Sequence, residues 1–295
     1  MQGSVMRRLQ IWHETRYDFA VPVELRDHRL MLRPREGHDV RVESSKLLIT
    51  PLPRISWQRD THDNSVATAS FFGGTQQLLI TSEVVIQHYD EAPLNFLVSD
   101  RALNFPFTYT PDDALDLGPY LQPPTMPRDE ALHDWLARLW RPPERVQTYV
   151  LLERLCEGIA AGLTYRVREE PGVQSPSRTL ALGDGSCRDF ATLFMALART
   201  LGLAARFVSG YLVIPLGDKG GGATHAWAEV YLPGAGWKGF DPTIGRLAGS
   251  DHIAVAVARR PEAVPPVAGS FLGPDTASPA LQVQVRVTPL SYPNG

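Results

Sequence analysis

Only two cysteines, Cys156 and Cys187, occur in 295 residues. That is too few for a disulfide-stapled secreted fold, so two reduced thiols are expected. No apolar run approaches the ~18 residues of a membrane span. Residues 1–11 carry Arg7 and Arg8 with no apolar stretch behind them, which does not read as a secretory leader. A cytoplasmic location is therefore the default expectation. Basic charge is not in excess. Lys and Arg number 29 against 32 Asp and Glu, with a net charge of −3 and a pI near 6.2. Nucleic acid and anionic membrane are not expected as partners. Gly-x-Gly-x-x-Gly, P-loop and His-Glu-x-x-His patterns are missing, and so is the Gly-x-Ser-x-Gly elbow. His13, His28, His38, His62 and His88 lack metal-ligand spacing and read as scattered surface histidines. No metal and no cofactor are expected.

Turn formers, by contrast, are plentiful: 24 glycines and 25 prolines. They point to many turns and stiff connectors rather than long helical bundles. The length suggests about two domains at ~150 residues each. The first hundred residues alternate with period two. Over 9–19, Leu9, Ile11, His13, Thr15, Tyr17 and Phe19 share one parity, the mark of a half-buried strand. Further strands are expected over 40–50, 55–60, 66–72 and 78–89. Their spacing suggests an antiparallel sandwich. Pro111, Pro119, Pro123, Pro124 and Pro127 then predict a stiff extended connector.

Two helices follow, over 129–140 and from Glu144 to about Ala161, the second opened by Pro142-Pro143. Cys156 lies inside the second among apolar neighbours and reads as a small hydrophobe. A short strand over 163–167 and a loop to Gly183 precede a third helix, which begins near Ser186 and stops at Gly202. Strands return over 204–214, 224–232 and 236–241, with a Gly-rich loop over 217–222. A last alternating stretch, 281–288, suggests a return to one of the sheets. The organisation expected is a β-sandwich over 1–115, a linker over 116–128, a catalytic core over 129–270 and a strand and tail over 271–295.

Three residues carry chemistry. Cys187, in Gly183-Asp184-Gly185-Ser186-Cys187-Arg188-Asp189, stands at a helix start. There the free N–H groups and the positive dipole end favour a thiolate and can hold an oxyanion. Ser186 fits an N-cap. His225 stands on a strand that shares one face with Trp227, Glu229 and Tyr231, while Ala226, Ala228 and Val230 form a packed face. Asp241 ends the next strand before Pro242, across the turn at 233–236, and the register of that hairpin leaves its facing residue open. A lone helix-start thiol, strand histidine or pre-proline Asp is usually structural. Together they compose a Cys–His–Asp triad in the order of papain-like cysteine enzymes.

The motifs around these residues, with Ala205 to Tyr211, Trp237 and Asp241-Pro242-Thr243, resemble the transglutaminase-like superfamily core. Thr15-Arg16-Tyr17, Arg29 to Pro34 and Phe71-Phe72-Gly73 are similar to the β-domain that precedes this core in bacterial members. The tail, His252 to Ala256 with Val264 to Val267 and Gly269, fits the same pattern. Ala258-Arg259-Arg260-Pro261-Glu262 departs from the Gly-Arg-Asp-Tyr-type run of relatives. The resemblance implies an α+β protein, an N-terminal antiparallel β-sandwich followed by a papain-like transglutaminase core. Cys187 is then the nucleophile, His225 the base and Asp241 the orienting acid. Bacterial members of this architecture are described as candidate cysteine proteases. The implied substrate is a peptide or protein, attacked at an amide carbonyl through an acyl-enzyme. The acceptor is water, or an amine in a transglutaminase. A non-catalytic scaffold on the same fold is the alternative from another class. Animal transglutaminases carry an upstream Trp that helps hold the oxyanion, and Tyr165 occupies the comparable stretch here. A core aromatic is the plainer reading of Tyr165. No calcium-loop pattern is present. The oligomeric state is left open.

Overall fold

A computed structural model describes residues 6–89, 94, 96–122, 130–168, 170, 172–214, 221–274 and 276–291. In chain order the first six strands are β1 (Met6–Leu25), β2 (His28–Leu30), β3 (Val40–Thr50), β4 (Arg54–Arg59), β5 (Ser65–Ser70) and β6 (Gly74–Tyr89). There follow α1 (Asp100–Leu103), β7 (Asn104–Phe105), α2 (Pro111–Leu121), α3 (Glu130–Leu136), β8 (Val146–Gln147), α4 (Thr148–Gly162) and β9 (Thr164–Tyr165). Next are α5 (Pro176–Leu182), β10 (Asp184–Gly185), α6 (Cys187–Thr200), β11 (Ala205–Val213), β12 (Gly222–Leu232) and β13 (Gly236–Asp241). The chain closes with β14 (Arg246–Leu247), β15 (His252–Ala258), β16 (Val267–Ala268), β17 (Phe271–Leu272) and β18 (Ala280–Pro289).

The period-two segments form the N-terminal sheets. One sheet runs β17-β1-β6-β3, with β18 also on β1, and a second runs β16-β2-β5-β4. Phe19, Leu30, Ile49, Ala67, Leu78 and Ile80 from both sheets share one apolar cluster. The last stretch does return, as β18 pairs with β1 from Leu9↔Pro289 to Asp18↔Ala280. A third sheet, β14-β13-β12-β11-β15, carries the C-terminal half. α6 packs on it: Phe190, Leu193, Phe194 and Leu197 are buried with Ala226, Ala228, Val230 and Phe240. Each fully buried Leu or Phe contributes roughly 1.5–3 kcal/mol. Gly202 ends α6 in the left-handed region, φ 77°, as a helix C-terminus favours.

Several expectations need correction. The stretch before Arg128 is not an extended connector throughout, because Pro111–Leu121 is the helix α2. The Thr110 Oγ1 accepts from the Asp113 N–H at 3.2 Å, and Pro111 sits at the first helical position, where a missing N–H costs nothing. Residues 123–129 lie outside the described residues. The helix expected from Glu144 starts at Thr148 instead, because Val146 and Gln147 pair with Phe105 and Asn104. The loop expected up to Gly183 holds α5, where Pro176 again opens a helix and the Ser175 Oγ accepts from the Arg178 N–H at 3.3 Å. Of the Gly-rich loop, residues 217–220 lie outside the described residues.

His13, His28 and His88 are buried, not surface residues. His13 lies on the inward parity of β1, its ring nitrogens 2.9 Å from the Tyr211 hydroxyl and 3.0 Å from Thr15 Oγ1. Burial holds its pKa down, at about 4. An unfolded chain takes up this proton from about pH 6.5 downward, the folded chain only near 4. The stability this histidine contributes is therefore present above about 6.5 and lost as pH falls toward 4. Chemical denaturation at pH 7 and pH 4 should show wild type losing about 3 kcal/mol more than His13→Gln. Equal losses would count against this account.

Candidate active site

Cys187 is the first residue of α6, half-buried. As the first helical residue it stands at the end of α6 that carries free N–H groups and the positive end of the dipole. Ser186 occupies the N-cap position, and its N–H and Oγ–H both donate to Asp189 Oδ2 at 2.8 Å. β10, just before it, pairs in parallel with β9 through Gly185↔Tyr165. That pairing brings Tyr165 beside the helix start. Its side chain is 46% exposed and packs its ring edge-on to Phe190. Partial burial, then the charge on Cys187, pushes the Tyr165 hydroxyl pKa up.

His225 pairs with Gly210 across β11 and β12. The β12–β13 ladder runs from Leu232↔Gly236 to Ala228↔Phe240. Asp241, the next residue, thus stands at the level of Trp227 on the His225 face. The His225 Nε2 lies 2.7 Å from Asp241 Oδ2. Cys187 interacts with the same imidazole and favours its charged form. Burial works against a charged imidazole here, but the Asp241 hydrogen bond and Cys187 outweigh it and push the His225 pKa up to about 10. Burial likewise disfavours the Asp241 carboxylate. The N–H donors of His225 and His252 reverse that and hold its pKa well below the usual range.

Sequence reasoning missed two residues of this site. His252, at the start of β15, places Nε2 3.0 Å from Asp241 Oδ2. Asp189 is wholly buried and accepts from Arg168 Nη1 at 2.9 Å on both oxygens, from the Gln174 N–H at 2.7 Å and from Ser186. Burial raises the Asp189 pKa, but these donors together bring it below the ordinary value. The signal for Asp189 was the Ser-x-x-Asp spacing of a capping box. Cys156 is fully buried in α4, its Sγ 3.6 Å from the Arg246 carbonyl. Burial, then the Asp241 charge, pushes its thiol pKa up.

His225, Asp241 and His252 offer ligand atoms within 4.8 Å of one another, a group that could hold a metal ion. The Gly249 N–H, however, donates to His252 Nδ1 at 3.2 Å. A metal on Nε2 would need the proton on Nδ1, facing that N–H. The donor set suits a hydrogen-bonded carboxylate instead.

Residues 146–242 match the model of the transglutaminase-like superfamily, and residues 9–87 match that of the bacterial transglutaminase-like N-terminal region. The chain belongs to the transglutaminase-like superfamily. It is 30% identical over 307 residues to an uncharacterised protein of Mycobacterium tuberculosis, covering 97% of this chain and 94% of the relative. An uncharacterised Mycobacterium leprae protein is 25% identical over 291 residues, covering 97% and 100%. In fold, this transglutaminase-like chain is similar to a Cytophaga hutchinsonii structure described as a candidate cysteine protease. The TM-score is 0.75 at 19% identity, over 99% of this chain and 93% of that one. No helix among the described residues is long and apolar enough to cross a membrane.

Removing Asp189 would strand the Arg168 guanidinium and the Gln174 and Ser186 donors. Asp189→Ala should cost about 3–5 kcal/mol, read by chemical denaturation. A loss under about 1 kcal/mol would show that the carboxylate does not hold the head of α6.

Proposed function

We propose that this protein is a thiol enzyme that hydrolyses peptide or amide bonds through an acyl-enzyme. The observation that carries the reading is the 2.7 Å His225–Asp241 hydrogen bond beside a thiol at a helix N-terminus. In this reading the Cys187 thiolate forms a C–S bond to the amide carbonyl carbon. Backbone N–H groups at the start of α6 take the oxyanion charge, and Tyr165 adds a hydroxyl donor at the rim. The tetrahedral species collapses, the C–N bond breaks, and imidazolium His225 gives its proton to the leaving amine. Water then attacks the thioester, His225 accepts its proton, and the C–S bond breaks to restore the thiolate. Asp241 fixes the imidazole tautomer and carries no proton in the cycle. The Cys and His ring roles follow from the hydrogen bond. With Nε2 on Asp241, Nδ1 is the nitrogen left for proton transfer.

A primary amine in place of water would turn the same acyl-enzyme into a transamidation. The two N-terminal sheets, read as a β-sandwich ahead of a papain-like core, would flank the substrate path rather than supply chemistry. A fluorogenic peptide panel, run with and without a primary amine, tests the reading. Wild type should release fluorophore, Cys187→Ala should release none, and Cys156→Ala should stay active. Asp241→Asn should lower kcat by about 10²–10⁴-fold. Amine-dependent product without hydrolysis would assign the transferase. Equal turnover by Cys187→Ala would overturn the thiol mechanism.

A further inference from the structure

His252 and His225 meet the same carboxylate oxygen. Their Nε2 atoms lie 3.0 and 2.7 Å from Asp241 Oδ2, and the Thr243 N–H donates to Oδ1 at 2.9 Å. The Gly249 N–H donates to His252 Nδ1, so Nδ1 carries a lone pair and the proton sits on Nε2. His252 is thereby set as a neutral N–H donor. Protonating Nδ1 would put two donors face to face.

The backbone aims this side chain deliberately. β15 pairs with β11 as Val208↔Val257 and Ser209↔Ala256, then Gly210↔Ala254 and Leu212↔His252. Val255 is the extra residue of a bulge, which shifts the parity of the strand by one. Without it His252 would point to the opposite face. With it His252 lies edge-on to Trp227 at 5.1 Å, and Trp227 stacks on His225 at 6.3 Å. Gly210 makes room, since a Cβ there would stand 2.2 Å from the Ile253 carbonyl oxygen and 2.7 Å from the Trp227 ring. The loop that supplies Gly249 is itself pinned. Arg7 of β1 pairs with Asp251 at 3.2 Å and donates to the Ser250 carbonyl, and the Val213 N–H donates to the Asp251 carbonyl at 2.8 Å.

We infer that His252 is a positioning residue of the Cys187–His225–Asp241 relay, a fixed neutral donor that orients the Asp241 carboxylate and limits its pull on the His225 proton. The inference rests on the thiol-enzyme reading above. The titratable and charged groups around Asp241 include His225 of β12, Cys156 of α4 and Tyr165 of β9, with Arg246 of β14 paired to it across the ladder, and Cys187 of α6 acts on His225. His252 also lines a cavity of about 270 Å³, with Arg35, Glu36, His38, Asp39, His88, Glu229 and Lys238 in its lining. Those charges are unchanged in the variants compared below.

The test is the pH dependence of Cys187 alkylation by iodoacetamide, read by mass spectrometry from pH 4 to 11. A thiolate–imidazolium pair gives a reactive plateau at mildly acidic pH and a second step when the imidazolium loses its proton. His252→Asn keeps an acceptor for the Gly249 N–H and removes the N–H at Asp241. It should move the second step upward by about one pH unit, a tenfold change in proton affinity. His252→Gln restores an N–H near the Nε2 position and should keep the wild-type profile. On a peptide substrate, His252→Asn should lower kcat by about 10–100-fold with KM within about twofold. An unchanged profile and kcat in His252→Asn, or Gln behaving as Asn does, would overturn the inference and leave the thiol mechanism standing. A wild-type thiol with no plateau would instead overturn the thiol mechanism itself.

Discussion

A carboxylate with no exposed surface has to be compensated inside the protein, and Asp241 is such a group. Left alone it would take up a proton or unfold its surroundings. It stays charged because three N–H groups, from His225, His252 and Thr243, converge on its two oxygens. Each donor comes from a different place in the chain: β12, β15 and the turn after β13. The third sheet therefore has to hold its strands in one register for the carboxylate to survive. The ladder ending at Ala228↔Phe240, the bulge at Val255 and the close approach over Gly210 are the local means of doing so.

The sequence revealed the parts of this arrangement that obey a simple period. β3 and β13 run over 40–50 and 236–241 as expected, because alternation and turn residues act locally there. Cys187 heading α6 was legible for the same reason: glycines, a Ser cap and an amphipathic run lie within one window. Prolines misled at two places. Pro111 and Pro176 open helices rather than extend the chain, since a proline at the first helical turn and one in a connector look alike without the cap. His252 could not be read at all. The bulge that turns it toward Asp241 is a property of two paired strands, and one strand's alternation puts His252 on the wrong face.

The N-terminal half is part of the same physical problem. β15 is the edge of the third sheet, and an uncovered edge leaves its N–H and C=O groups unpaired. The Asn64 amide donates to the Val257 carbonyl and accepts from its N–H, both at 2.8 Å, and the Arg35 N–H donates to the Ala254 carbonyl at 2.8 Å. Two residues of the N-terminal half thus pair with β15 as a neighbouring strand would. Leu9, Ile11, Met31, Val66 and Val84 join Phe190, Tyr211 and Ile253 in one apolar cluster. Tyr211 in turn meets His13 of β1.

The strand whose first residue reaches Asp241 is held on its outer side by Arg35 and Asn64, and at its leading loop by Arg7. The donor geometry at the carboxylate therefore depends on contacts made more than a hundred residues earlier in the chain. A core cut away from the first sheets would keep Cys187, His225 and Asp241 in sequence but would expose the β15 edge and free the 249–251 loop. The N-terminal sheets are the outer wall of the strand that brings His252 to Asp241. They hold it by ordinary strand-like hydrogen bonds from Asn64 and Arg35.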